Sequence, residues 1–348
     1  MYTQSDLENK EYQISKRNFL DDYAKYQAQE IDMTLSGKYL YRYPKFRIDY
    51  QKLSNYPAHH ITKQLEETIK ERQTRKEREV VIGTGANGII QNLVKIIFQE
   101  GGNLVTPYLT FNQPEYAVTA MGGYTKRVYM QEDMQINPQK IIDSVDNETK
   151  MIYLCNPNNP TGMIMKPEEL IEIARNVTAY VVVDESGIEF FSKDTLAFCE
   201  IPDNMIIIRS FSKAYGIANL RVGYMICSKE LKKKYEQNIT INEVSGISCE
   251  YARRLLLSKH YQKNVELIIK EREKIEKNLR KSGMEFFESK SNLLFTKEIT
   301  EELLEKIVRS GISVMPVRDQ REKLHLRIAV QDKKTNQKFL EKWKEIVK

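Results

Sequence analysis

The 348-residue chain lacks the features that mark secreted, membrane or metal-binding proteins. Its four cysteines are widely spaced, and none forms a C-x-x-C pair, which argues against a disulfide framework and against a metal site. No segment approaches the roughly 18 to 20 consecutive apolar residues that a bilayer span requires. The polar N-terminus lacks the apolar core of a signal peptide. We therefore expect a cytoplasmic protein with reduced thiols and no membrane partner.

An excess of one charge is also missing. The chain has 54 basic and 48 acidic residues, a net charge of +6, and it mixes both signs in runs such as residues 70–79. Such a run is more typical of a solvated helix face than of a nucleic-acid surface, so we expect no nucleic-acid partner. With 41% hydrophobic residues, the chain can bury one large core, or one large and one smaller domain.

Helical patterns alternate with short apolar runs from about residue 60 onward. The strand candidates are rich in β-branched and aromatic residues, and a helix candidate precedes or follows several of them. Strands are expected at 80–82, near 105, and at 124–129, 150–155, 179–183, 205–209 and 223–227; helices at 61–79, 88–99, 167–176 and over much of 248–281. Nearly all-apolar strands alternating with helices predict an α/β fold with a mainly parallel sheet covered on both faces.

The last hundred residues have a different pattern. A charged helix is followed by strand candidates at 284–287 and 292–296 and by a helix near 301–310, which is typical of a smaller α+β domain. We expect a large domain over residues 46–245 and a small C-terminal domain over 246–348. Residues 1–45 are expected to pack with the small domain.

The most informative stretch surrounds Lys213. Ser210 and Ser212 precede this lysine, and Arg221 follows it by eight residues. An amine nucleophile beside several phosphate-binding donors suits an enzyme that holds a phosphorylated aldehyde as a Schiff base. The alternative is an ordinary solvent-exposed turn, because short motifs carry a real false-positive risk.

Two glycine- or proline-rich loops follow strand candidates. Residues 83–88 have small side chains ahead of a helix N-terminus, where the backbone can approach a phosphate closely. In residues 156–162, prolines and Gly162 fix the loop so that an asparagine amide can be aimed at a ligand. The alternative for each is a turn without a ligand.

Two more side chains fit the same chemistry. Asp184 follows the apolar run 181–183, and a carboxylate at a buried strand end costs free energy unless it is paired. Opposite a pyridine nitrogen, it would keep that nitrogen protonated, although it could instead cap a neighbouring helix. Phe111 offers a flat face for stacking on a ring, and an ordinary core phenylalanine is the alternative.

Taken in order, these segments resemble the class I/II aminotransferases, which depend on pyridoxal 5′-phosphate (PLP). The pattern is most similar to the histidinol-phosphate aminotransferase and threonine-phosphate decarboxylase branch. It extends from about Tyr56 to the C-terminus, with 25 residues from Asn159 to Asp184 and 29 from Asp184 to Lys213. The resemblance implies fold type I, the aspartate aminotransferase-like fold.

The resemblance also implies a role for each matching residue. Lys213 would form the Schiff base and move the proton, Asp184 would pair with the ring nitrogen, and Asn159 would bond the ring oxygen. Arg327 would bind the substrate carboxylate, and Tyr56 would reach the phosphate of a neighbouring subunit, which implies a homodimer with shared sites. Phe111 would stack on the ring, and the phosphate would be held by Gly85, Ala86, Asn87, Ser210, Ser212 and Arg221.

Two positions depart from the family pattern. Gly187 stands where family members usually have a tyrosine whose hydroxyl bonds the ring oxygen. Met315 stands where an arginine usually helps to bind substrate phosphate, so the phosphorylated substrate of that branch is in doubt. Arg318 or Arg321 are the candidate replacements.

The sequence therefore predicts a PLP-dependent aminotransferase that moves an amino group from an amino acid to a 2-oxo acid. The first alternative is a PLP-dependent decarboxylase or lyase resembling threonine-phosphate decarboxylase, to which Gly187 gives weight. The second is a binding or regulatory module that kept the fold without the reaction. The presence of Lys213, Asp184, Asn159 and Arg221 together argues against this second alternative.

Overall fold

The computed structural model describes residues 12–15, 30–34, 43, 47, 54–57, 59–191, 195–239 and 243–347. No helix in these ranges is long and apolar enough to cross a membrane. These ranges also bring together no group of three or more His, Cys, Asp or Glu side chains that could hold a metal ion. The described residues form a large domain on one extended sheet and a smaller α+β domain.

The large domain is built on a mainly parallel sheet of eight strands. They are β1 (Tyr12–Ser15), β3 (Glu79–Gly83), β4 (Asn103–Pro107), β5 (Tyr124–Val128), β6 (Thr149–Cys155), β7 (Tyr180–Asp184), β8 (Met205–Ser210) and β9 (Gly223–Cys227). Their order is β1–β5–β4–β6–β7–β8–β9–β3. The five central strands are parallel, whereas β1 and β9 run antiparallel to their neighbours. The predicted α/β fold with a mainly parallel sheet is confirmed.

Helices cover both faces of this sheet. They are α1 (His59–Gln73), α2 (Gly85–Ile97), α3 (Gln113–Ala120), α4 (Pro138–Asp143), α5 (Pro167–Arg175), α6 (Lys229–Glu236) and α7 (Gly246–Leu257), the last of which packs on α1. Strand side chains alternate between the faces. Val182 and Ile206 pack with α2, and Val181 and Val183 pack with α1 and α5. The central strands are therefore buried on both sides, and their carboxyl ends converge at one edge.

The small domain has its own antiparallel sheet. Its strands β10 (Leu293–Phe295), β12 (Met315–Arg318) and β13 (Leu324–Ala329) lie in the order β10–β13–β12. Helices α8 (His260–Arg280), α9 (Glu301–Arg309) and α10 (Lys333–Ile346) belong to the same part of the chain. The two-residue strands β2 (Ile31–Asp32) and β11 (Ile312–Ser313) pair in parallel, so this N-terminal piece lies beside the small domain.

Two local predictions are wrong. The helix expected to run to residue 79 ends at Gln73, and a turn in which the Arg78 amide donates to the Arg75 carbonyl leads into β3. The strand expected at 284–287 is a single bridge between Phe286 and Thr296. One bridge fixes one residue only, so the segment passes the sheet without joining it as a strand.

Candidate active site

Asp184 is the last residue of β7, at the carboxyl edge of the sheet. It is 4% exposed, and two donors satisfy its carboxylate: the Tyr153 hydroxyl reaches Oδ2 at 2.7 Å and the Ser186 amide reaches Oδ1 at 2.9 Å. These bonds offset the loss of hydration that a buried carboxylate suffers. The sequence analysis missed Tyr153. The sequence feature that could have indicated it is a single tyrosine within the apolar run of β6.

Lys213 acts on the same small region as Asp184. Burial raises the pKa of the Cys155 thiol to about 12; the Asp184 carboxylate adds to this increase, and the Lys213 ammonium opposes it. Cys155 is also the direct neighbour of Asp184 in the register of β6 and β7. Lys213 Nζ lies beside Gly187, which follows Asp184 by three residues.

Gly187 leaves space in front of Lys213. A Cβ built on Gly187 would lie 3.9 Å from Lys213 Nζ and 3.8 Å from the Phe190 ring. The backbone does not require glycine here, since its φ of −133° is open to any residue. Glycine at position 187 therefore leaves room beside the Lys213 amine, and it is not needed to relieve backbone strain.

A buried ion pair supports the strand ends on either side. Arg209 donates from Nε and Nη2 to Glu185 Oε2 at 3.0 and 2.8 Å, and both side chains are almost fully buried. Arg209 Nη1 also donates to Gln73 at 3.2 Å. Glu185 follows Asp184, and Arg209 precedes Ser210, so the pair fixes the backbone next to two candidate site residues. Sequence analysis did not assign this pair.

The predicted phosphate-binding segments meet at the start of α2. A Cβ on Gly85 would lie 2.7 Å from Arg221 Nη2, and a Cβ on Gly223 would lie 2.7 Å from the Ala86 amide nitrogen. Ser210 is opposite Gly223 in the register of β8 and β9, and its Oγ accepts from the Ser212 amide at 3.1 Å. Contact with backbone atoms requires glycine at 223, whereas at Gly85 the positive φ of +74° favours glycine. These contacts bring the helix N-terminus, the serine loop and the arginine together.

Asn159 and Arg327 meet across the domain boundary. Arg327 Nη1 donates to Asn159 Oδ1 at 3.0 Å, and its Nη2 donates to the Thr34 carbonyl. The asparagine loop is held in place by Asn158, whose amide donates to the Leu109 carbonyl at 2.9 Å. Two residues predicted to bind different parts of the ligand are thus in direct contact.

A cleft of about 960 Å³ lies next to the Asn159–Arg327 contact. Its walls include Phe111, Tyr153, Asn159 and Arg327, and it extends to the small domain. Phe111 also packs against the apolar cluster around α2, so its ring has both a core contact and a cleft-lining position. Tyr56 lies elsewhere, with 86% of its surface exposed. Phe111, Asn159 and Arg327 thus line one cleft, Asp184 is linked to it through Tyr153, and Gly85, Ala86, Ser210, Ser212 and Arg221 meet at the start of α2.

Comparison with known proteins agrees with this geometry. The family model described as aminotransferase class I and II matches residues 28–342. A histidinol-phosphate aminotransferase of Clostridium novyi is 31% identical over 290 residues, covering 81% of this chain and 80% of the relative. Histidinol-phosphate aminotransferase 1 of Archaeoglobus fulgidus is 31% identical over 327 residues, covering 92% and 94%. A solved histidinol-phosphate aminotransferase from Sinorhizobium meliloti, in complex with pyridoxal 5′-phosphate, has a TM-score of 0.80 at 21% identity, with 92% of each chain covered.

The chain belongs to the class I and II aminotransferases. It is a PLP-dependent aminotransferase of fold type I, as the motifs predict. The residues present fit that cofactor. Gly85 has no side chain, and a Cβ built there would lie 2.7 Å from Arg221 Nη2, so the glycine leaves the Arg221 guanidinium open at the start of α2. A phosphate held there would receive charge-assisted bonds from the arginine and the helix N-terminus.

Proposed function

We propose that Lys213 attaches the cofactor and carries the proton in amino transfer from an amino acid to a 2-oxo acid. The supporting observation is that a Cβ on Gly187, three residues after Asp184, would lie 3.9 Å from Lys213 Nζ, which puts the amine beside the end of β7. An amine nucleophile beside a fixed carboxylate, at the carboxyl edge of a parallel sheet, is the arrangement this reaction needs.

The site residues divide the work by position. When bound, PLP supplies the electron sink that allows a bond at the amino acid Cα to break. Asp184, held by Tyr153 and the Ser186 amide, would keep a ring nitrogen protonated. Lys213 Nζ would take the proton from the substrate Cα and return it during amino transfer, and the open space at Gly187 leaves room beside this amine.

Substrate and phosphate are held on opposite sides of this centre. Arg327 binds the α-carboxylate, and its bond to Asn159 fixes the direction of the guanidinium. Gly85, Ala86, Asn87, Ser210, Ser212 and Arg221 hold the cofactor phosphate. Phe111 covers the ring from its position in the cleft wall.

The same proposal includes a homodimer in the cytoplasm. Tyr56 is 86% exposed on this chain, and an exposed tyrosine is available to a second copy. Mixing Lys213→Ala and Tyr56→Ala chains tests the sharing of sites, because mixed dimers would regain one intact site of the two. Unchanged inactivity of the mixture, in molecules shown to be mixed dimers, would contradict it.

A decarboxylase or lyase is the second candidate, and Gly187 is the observation that favours it. The position beside Lys213 Nζ lacks the tyrosine hydroxyl that family members usually have there, so the site departs from the pattern typical of amino transfer. Incubation with single amino acids separates the two reactions. Amino transfer stops after one turnover without a 2-oxo acid, whereas decarboxylation releases carbon dioxide continuously.

The attachment residue is tested by borohydride reduction and peptide mass spectrometry. Reduction should fix the cofactor mass on the peptide that contains Lys213, and Lys213→Ala should lose both that label and turnover. Lys229→Ala, at an exposed lysine that begins α6, is the matched control and should keep both. Label at another lysine, or turnover at the unaltered rate in Lys213→Ala, would refute the assignment.

A further inference from the structure

The part of the cleft beyond Arg327 has walls of unusual chemistry. Eight apolar residues of the small domain line the cleft, and we name five of them the apolar wall: Leu304, Val308, Val314, Met315 and Val317. The wall joins the substrate end of the site directly, because Met315 is opposite Arg327 in the register of β12 and β13. Cross-strand neighbours have Cβ atoms about 4.5–5.5 Å apart. The apolar wall is therefore next to the position at which Arg327 would bind a substrate carboxylate.

Charges in the described cleft walls are balanced. The lining residues include three arginines and three glutamates: Arg127, Arg318, Arg327, Glu115, Glu301 and Glu322. Each arginine already has a partner on the protein. Arg127 pairs with the buried Glu115, Arg318 pairs with Glu301, and Arg327 donates to Asn159. The Arg318–Glu301 pair is half-exposed, so a second anionic group could gain a cation from the described walls only by displacing Glu301 from Arg318.

From this arrangement we infer that the substrate is an amino acid with an uncharged, apolar side chain. The inference rests on the proposed function and names the substrate class of the same site. A phosphate or carboxylate on the side chain would lose its hydration against the apolar wall and would have to compete with Glu301 for Arg318. An aliphatic or aromatic group would bury its apolar surface there.

Met315 is the specificity-determining residue in this arrangement. A thioether fills irregular apolar gaps well and accepts ring contacts. An arginine at the same position would place a guanidinium next to Arg327, where it could bind a second anion. The side chain at 315 therefore selects between apolar and anionic substrates without touching the reacting atoms.

Two unreactive carboxylates that differ only at their far end test this. The probes are 3-phenylpropanoate and 3-phosphonopropanoate, titrated into the PLP-loaded enzyme by calorimetry. The unaltered protein should bind the phenyl compound at least about tenfold more tightly, since the loss of a complementary contact in a pocket changes affinity by roughly 10–200-fold. Met315→Arg should reverse the preference, and Leu257→Arg, at an exposed site outside the cleft, should leave it unchanged.

Equal affinity for the two probes, or tighter binding of the phosphonate by the unaltered enzyme, would overturn the inference. Binding of neither probe would also overturn it, because the apolar wall would then not bind the substrate side chain. Measurement on the unaltered enzyme decides the question even if Met315→Arg fails to fold. Borohydride labelling of Lys213 in the same preparation distinguishes failure of the substrate class from failure of the proposed function. An enzyme that is labelled at Lys213 but prefers the phosphonate refutes only the substrate class.

Discussion

Substitution of Gly85 by alanine separates backbone strain from loss of phosphate binding. Gly85 has a φ of +74°, and a Cβ there would lie 2.7 Å from Arg221 Nη2. Gly122 has a φ of +78°, but a Cβ there would have no atom within 4 Å. Gly122→Ala is therefore a matched control with the same strain and no contact.

The two effects have different magnitudes and different readouts. An alanine in the left-handed region costs about 1–2 kcal/mol, so both variants should lose similar stability in denaturant unfolding. Only Gly85→Ala should also displace the Arg221 guanidinium from the phosphate cradle. A hydrogen bond to a charged group contributes about 1.5–3 kcal/mol, which corresponds to a loss of roughly 10- to 100-fold in PLP affinity.

The assay is fluorescence titration of the cofactor-free proteins with PLP, next to urea unfolding of the same samples. We expect Gly122→Ala to bind PLP as tightly as the unaltered chain. Equal losses of affinity in both variants would mean that strain, and not the displaced arginine, controls binding. Unchanged affinity in Gly85→Ala would show that Arg221 does not hold the phosphate.

Three further predictions test the surroundings of the site. Glu185→Gln should destabilise the protein by about 3–5 kcal/mol in urea unfolding, because it leaves the buried Arg209 charge unpaired. The double variant with Arg209→Met should lose less stability than the sum of the two single losses, and additive losses would contradict the pairing. Tyr153→Phe should remove one of two donors to Asp184 and reduce kcat about tenfold or more with little change in KM, and an unchanged kcat would exclude that role. Although partial burial opposes it, hydrogen bonds from Lys126, Asn103 and Thr149 lower the pKa of Asp146 to about 2. Because that pKa is depressed, the carboxylate stabilises the fold above its unfolded pKa near 4, and this stabilisation is lost as the pH falls towards 2. The Asp146 side chain is 46% exposed, so Asp146→Asn should reduce the stability gained between these pH values by about 1 kcal/mol or less. Acid titration of the free energy of unfolding measures this, and an unaltered titration would contradict the prediction.

The strand-end residues were predictable from sequence because they follow apolar runs of a parallel sheet. Asp184 closes β7, and Lys213 comes shortly after β8, so their positions in the chain already indicate one edge of the sheet. The glycines at 83, 85 and 88 likewise mark a close approach of strand and helix. At these positions the local sequence pattern is therefore enough to predict the place of the residue in the fold.

The contacts across the domains were not predictable in the same way. Asn159 and Arg327 are 168 residues apart, and Arg127 reaches the cleft from a different strand than the small-domain residues that face it. No local pattern encodes which of two distant polar groups will meet. The apolar wall needed the register of β12 and β13, because the neighbour of Arg327 is decided by that pairing and by nothing near it in sequence.

The two departures from the family pattern, Gly187 and Met315, both lie at positions that would face the substrate. Gly187 leaves the space beside Lys213 without a side-chain hydroxyl, and Met315 places an apolar group beside Arg327. The sheet edge supplies the groups that hold the cofactor, and neither change alters a strand-end anchor. Variation in such a scaffold falls on positions that touch the substrate side, since those can change without loss of the fold. Restoring a tyrosine at 187 and an arginine at 315 should therefore act separately, the first on the reaction at Cα and the second on the choice of side chain.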